Sequence, residues 1–110
     1  MSPGESAMLR RPNDPSLLVL TSLASGSKHG YALLKDIEGF AGVTLSPGTL
    51  YGAIARLEEI GLIEPEVGVN RRRPYRLTAN GAQALREVTS EMRRLANVGV
   101  ARLRLASGAS

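Results

Sequence analysis

Apolar residues recur along this chain in four stripes of helical period, interrupted once by a pair of short extended stretches. Leu17, Leu18, Leu20 and Leu23 supply the first stripe. Asp14 stands ready as its N-cap, with Pro15 in the first turn, where a missing N–H costs nothing. Ser25-Gly26-Ser27 then stops the helix. A second helix is predicted over residues 28–40, where Tyr31, Leu34 and Ile37 recur at helical spacing and Leu33 and Phe40 flank them. Gly39 and Gly42 should break it. Ser46 followed by Pro47 opens a third helix reaching about Ile60, with Leu50, Ala53, Ile54 and Leu57 as its core stripe. Gly61 is placed to end that helix in the left-handed conformation.

Residues 62–67 and 74–77 follow as two extended stretches separated by Gly68-Val69-Asn70 and a run of arginines, the pattern of a β-hairpin. Thr78 then caps a long fourth helix over about residues 79–105. Residues 1–13 mix Pro, Gly, Ser and Arg without periodicity and read as a flexible tail. The order helix, helix, helix, hairpin, helix is mainly α with a small β-hairpin: a winged helix-turn-helix plus a long C-terminal helix. The expected division is a tail (1–13), a winged helix-turn-helix domain suited to DNA binding (14–78) and a C-terminal helix suited to dimerisation (79–106).

Composition narrows the chemistry. The 110 residues suit one domain with a modest core. No apolar run approaches membrane-spanning length and the first residues lack a secretory signal's apolar segment, so no membrane partner and a cytoplasmic location are expected. Cysteine is absent and His29 is the single histidine, which leaves neither a disulfide, a thiolate site nor a multi-histidine metal cluster within one subunit. His29 has no carboxylate or nucleophile beside it in sequence. No serine sits in a G-x-S-x-G setting, and neither a P-loop nor a dinucleotide fingerprint occurs. No catalytic residue, metal ligand or cofactor is therefore expected, and an enzyme finds no support.

Charge points toward a polyanion. The net charge is +4, but placement says more than the total. Arg71, Arg72, Arg73 and Arg76 crowd together with no acid between Glu66 and Glu87. Asp36, Glu38, Glu58, Glu59, Glu87 and Glu91 fall on segments that read as ordinary helix surface. An arginine cluster on a hairpin can be a solvated loop, or a wing set along phosphates or into a minor groove. Lying just after a recognition-type helix, it is expected to contact DNA. Arg10 and Arg11 could form a minor-groove arm, though a basic tail explains them as well.

The third helix has the second face such a protein needs. Thr49, Gly52 and Arg56 share the side opposite its core stripe, and its N-terminus offers unpaired N–H groups to phosphate. Arg56 could read a guanine edge or hold a phosphate. Gly52 is compatible with close approach to DNA and equally with tight packing against a neighbouring helix. Tyr31 and Tyr51 could hydrogen-bond phosphates or serve as core residues with a wet hydroxyl. On the fourth helix Leu85, Val88, Met92, Leu95 and Gly99 alternate in steps of three and four, a heptad-like seam longer than the domain itself can cover. A homodimer interface through Leu85, Val88, Met92 and Leu95 is expected; the alternative, packing back on the same domain, is open to Leu85 and Val88 but stretched for residues 92–103.

These residues resemble the PadR family of bacterial transcriptional regulators. The matching stretches are His29-Gly30-Tyr31, then Leu45-Ser46-Pro47-Gly48-Thr49-Leu50-Tyr51, then Arg56-Leu57-Glu58-Glu59-Ile60-Gly61-Leu62-Ile63, and Tyr75-Arg76-Leu77-Thr78 with Gly81. The Arg-Leu-Glu and Gly-Leu-Ile pieces are common to many winged helices; the Ser-Pro-Gly-Thr-Leu-Tyr run after His-Gly-Tyr is more specific. The short C-terminal region resembles the compact branch that dimerises through a single helix. The resemblance implies a homodimer on a palindromic double-stranded operator, usually repressing a nearby gene. It makes Tyr31, Ser46, Thr49 and Tyr51 DNA-facing, with the wing near Arg72 and Arg73. The family's Gly-Arg-Pro wing appears here as Asn70-Arg71-Arg72-Arg73-Pro74, so the arginine at the tip stays open. Some members bind flat aromatic ligands between tryptophans; this chain has no Trp and no aromatic after Tyr75, so any small-molecule effector is unidentified. The competing reading is a winged-helix protein-interaction module that never touches DNA.

Overall fold

The computed structural model describes residues 11–67 and 73–108. Among these, six elements follow in the expected order: α1 (Pro15–Leu23), α2 (Gly30–Ala41), α3 (Pro47–Glu59), β1 (Ile63–Pro65), β2 (Tyr75–Leu77) and α4 (Ala79–Gly108). The fold is mainly helical, with a two-stranded antiparallel hairpin and a long terminal helix.

α1 starts where its cap dictates. The Asp14 carboxylate accepts the Leu17 N–H at 3.2 Å and Pro15 occupies the first turn. The helix is more buried than its four leucines announce: Ser16, Val19 and Ser22 are covered as fully as they are. A short helix covered on almost every side is a central post, here enclosed by α2, α3, α4 and β2.

α2 begins at Gly30, two residues later than its pattern predicts. Lys28 is extended instead and pairs with Tyr75 through both backbone groups, N–H to O at 3.1 Å and O from N–H at 2.9 Å. The buried stripe of α2 is Gly30, Leu33 and Ile37; Tyr31 and Phe40 point outward, and Leu34 only flanks the core. Gly39 does not break the helix. Gly42 does, at φ 66°, donating its N–H to the Glu38 carbonyl.

α3 ends in a Schellman arrangement. Gly61 takes φ 80°, the Leu62 N–H reaches the Leu57 carbonyl at 2.9 Å, and the Gly61 N–H reaches that of Glu58 at 3.1 Å. Leu57 and Leu62 are both buried at this corner, so the chain enters β1 at a fixed angle. The strands are shorter than the extended stretches in the sequence, pairing Ile63 with Leu77, Glu64 with Arg76 and Pro65 with Tyr75. Tyr75 spends its backbone groups on Lys28, so the N–H that Pro65 lacks is not needed opposite it.

Thr78 caps α4 as expected, its hydroxyl accepting the Gly81 N–H at 3.0 Å while donating to the Gly61 carbonyl at 2.6 Å. A side chain at residue 81 would collide with the Leu62 carbonyl oxygen, so only glycine lets α4 seat its first turn against the α3–β1 corner. The core joins all three body helices to β1 and to Ala84 and Val88 of α4. Every residue from 93 to 108 is exposed. The helix therefore projects, and the radius of gyration is 16.2 Å, against roughly 13 Å for a compact domain of about this size.

Candidate nucleic-acid interface

The outer face of α3 is built from its cap downward. Ser46 sits in extended backbone and its hydroxyl accepts the Thr49 N–H at 3.2 Å, fixing where the helix starts. The same hydroxyl donates to Thr49 Oγ1 at 2.9 Å. Thr49 presents an exposed hydroxyl to the outside, while Ser46 is engaged within the cap. Both residues are exposed, as is Arg56 two turns further along the same face. Nothing lies within 4 Å of where a Gly52 side chain would begin. That removes the reading in which Gly52 packs against a helix of its own chain and leaves an open, shallow surface between Thr49 and Arg56.

Beside this face, His29, Gly30, Tyr31 and Tyr51 line a cleft of about 480 Å³. Tyr31 is 65% and Tyr51 54% exposed, so neither is a core residue with a wet hydroxyl. The Tyr51 phenol lies over Gly30: any side chain there would meet its hydroxyl. The glycine between His29 and Tyr31 is thus the seat of a tyrosine from the next helix, and the His-Gly-Tyr and Thr-Leu-Tyr motifs touch in space. In the sequence Gly30 stands out only as part of a motif, because no local pattern shows a partner twenty-one residues away. Lys35 lies over the other tyrosine, its Nζ 5.7 Å from the Tyr31 ring centre, which adds a cation to the same side of α2.

The wing is described up to its two stems. Arg71 and Arg72 lie outside the described residues, as does Arg10 of the tail, and Arg73 is exposed beside Pro65, Glu66 and Val67 at the wing base. Arg76 differs from its neighbours in the cluster. Its guanidinium bonds the Glu64 carboxylate directly across the hairpin, at 2.8 Å through Nε and 2.6 Å through Nη2. Its charge is matched within the sheet, so the acid-free stretch of sequence is not acid-free in space.

The expected dimer residues separate along α4. Val88 is 5% exposed and belongs to its own subunit's core, which corrects its placement at an interface: it has almost no surface left to give. Leu85 and Met92 are half-covered at the edge of that core, whereas Leu95 is 74% exposed. Among the described residues no group of acids and histidine could hold a metal, and no helix is long and apolar enough to cross a membrane.

Known proteins are similar to this chain in sequence and in fold. The family model described as the transcriptional regulator PadR-like family matches residues 19–87. The chain is 46% identical over 85 residues to an uncharacterized 37.1 kDa protein in transposon Tn4556 of Streptomyces fradiae, covering 77% of this chain but only 25% of that protein. It is 37% identical over 83 residues to the transcriptional regulator Rv3488 of Mycobacterium tuberculosis, covering 73% of this chain and 77% of that one. The crystal structure of a PadR family transcription regulator from Clostridium difficile R20291 superposes with a TM-score of 0.72 at 26% identity, over 81% of this chain and 97% of the other. The family and these two regulators act in transcription and are not enzymes.

Proposed function

This chain belongs to the PadR-like family of transcriptional regulators, and from that premise we propose that it binds double-stranded DNA as a homodimer and represses a gene through a palindromic operator. The observation that carries the reading is the outer face of α3, where Thr49, the bare Gly52 and Arg56 form an exposed polar strip over a fully buried Leu50, Ile54 and Leu57. A helix so braced can enter a major groove, with Thr49 and Arg56 at base edges and the Tyr31–Tyr51 cleft against backbone phosphate. Arg71, Arg72 and Arg73 extend the interface as the wing, and Ser46 acts by holding Thr49.

Dimerisation is supported by the bare half of α4. Leu95 and Leu103 continue the line of Leu85, Val88 and Met92 past the end of the domain. From Met92 onward the chain carries Arg93, Arg94, Arg102 and Arg104 and no acid, while Glu87 and Glu91 lie on the preceding turns. An antiparallel second copy brings the basic half of each helix beside the acidic half of the other, whereas a parallel one sets arginine against arginine. Two α3 helices in a two-fold dimer would meet successive major-groove faces about 34 Å apart.

The deciding experiment titrates the protein with DNA from upstream of its own gene and with random duplex, across a range of salt. The expected result is affinity that falls steeply with salt for both, and a protected palindrome on the upstream fragment only. Salt-independent or undetectable binding to either duplex would replace this reading with the protein-interaction module.

A further inference from the structure

The wing leaves the body between two strands of three residues each, and so short a hairpin is weakly held by its own ladder. The base of the hairpin is held by Ile63 in the core, and its wing-side end is held by the turn between α1 and α2. The Lys28 backbone pairs with Tyr75 on the outer edge of β2, and the Ser27 hydroxyl donates to the Glu66 carboxylate at 2.6 Å on the other stem. Ser27 and Lys28 thus clasp both stems, one residue each, at the point where the wing departs.

The clasp is itself fastened by a single ammonium group. Lys28 Nζ donates to the Ser22 carbonyl at 2.5 Å, to Ser25 Oγ at 2.7 Å and to the Gly26 carbonyl at 3.3 Å. It stands 3.9 Å from the Asp36 carboxylate of α2, and its side chain is only 18% exposed. Asp36 in turn accepts the hydroxyl of Ser22, a residue 1% exposed within α1. One cation therefore joins the C-terminal carbonyls of α1, where positive charge is favoured, to α2 and to the strand that carries the wing.

We propose that Lys28 is a positioning residue that fixes the direction in which the wing meets its partner. It touches no partner itself; it holds the clasp that holds β2. The inference rests on the DNA-binding reading only for what the wing then meets. Its mechanical half stands without it.

Replacing Lys28 by Met keeps the backbone pairing possible and most of the side-chain volume while removing the three donors. Amide exchange followed by NMR should then accelerate about tenfold or more at Tyr75, with Leu20 and Leu57 in the helical core little changed. Lys28→Arg, which can still donate to the α1 carbonyls, should recover most of the protection. In DNA titrations Lys28→Met should reduce the log–log salt slope by about 0.9 for each phosphate that the wing no longer reaches, while the preference among operator variants, read by α3, is retained. Should Lys28→Met fail to fold, Ser25→Ala removes one of its acceptors and should give the same local pattern in weaker form. Unchanged Tyr75 exchange in the folded variant, or acceleration spread evenly over the core, would overturn the proposal. So would local acceleration with an undiminished salt slope in a protein that binds DNA. If neither wild type nor variant binds DNA, the functional reading fails while the exchange result still decides the role of Lys28.

Discussion

The two halves of α4 share a helix and a hydrophobic period, yet they live in different surroundings. Between Gly81 and Val88 the inward positions are buried against α1, the hairpin and the α3–β1 corner. From Arg93 to the end of the helix no residue is covered, and Leu103 and Leu105 stand about 70% exposed. The apolar period continues across the boundary, with Leu85, Val88 and Met92 followed by Leu95 and Leu103. Periodicity thus tells which face of a helix is apolar but not what lies against it. The distinction matters energetically, because a bare helix of about sixteen residues is marginal in water and its stability must come from an apolar face that finds a neighbour.

Val88→Asp should break the first half outright. A carboxylate there would be buried without a partner, a penalty of several kcal/mol against a total stability of about 5–15 kcal/mol for ordinary domains. Thermal melts followed by circular dichroism should show most cooperative unfolding abolished. The same chemistry one seam position beyond Met92 should act quite differently. Leu95→Glu is expected to keep the cooperative melt of the winged body and to sediment as a monomer, losing only the helical signal of the unpartnered end of α4. Operator affinity should fall by roughly a hundredfold or more as the two half-sites become unlinked. If Leu95→Glu instead unfolds like Val88→Asp, or remains dimeric, the division of α4 into two halves is wrong.

Smaller effects sharpen the picture at the DNA face. Thr49→Ala should change the ranking of operator variants by about 1–3 kcal/mol while random DNA is bound nearly as before. Arg73→Ala should do the reverse, lowering the salt slope by about 0.9 per subunit and leaving the ranking alone. Footprinting of variant operators and salt titrations on random duplex separate the two. The smallest effect belongs to Glu64→Gln: stability should move by less than about 1 kcal/mol, since the pair is exposed. Releasing Arg76 from its partner should tighten random-DNA binding slightly, and weaker binding would contradict the assignment of Arg76 to the sheet.

Much of the fold is legible because its punctuation is local. Asp14-Pro15, Ser46-Pro47, Gly61 and Thr78 each mark a boundary through interactions within a few residues, and each boundary lies where those residues place it. The misplaced residues share another cause. Lys28 looks like the first residue of a helix because nothing nearby reveals that Tyr75 will pair with it. Asp36 looks like a surface acid because Ser22 lies fourteen residues upstream. Tyr31 falls into the apolar stripe of α2 because Leu34 and Ile37 follow it at helical spacing; Gly30, one place earlier, is the residue that faces the core. Val88 reads as a partner's residue because the seam is continuous, though the body of the protein reaches one turn further along α4 than the pattern reveals.

Gly81 carries a consequence that belongs to leverage rather than to packing. It lies near the root of a 30-residue helix, and the far end stands about 40 Å away at roughly 1.5 Å per residue. Any side chain at that root must push the first turn off the Leu62 carbonyl. A tilt of only about ten degrees there would swing a tip at that distance by roughly 7 Å, more than one helical turn. The smallest residue in the chain therefore sets the aim of its longest arm, and with it the place where anything gripping that arm must stand.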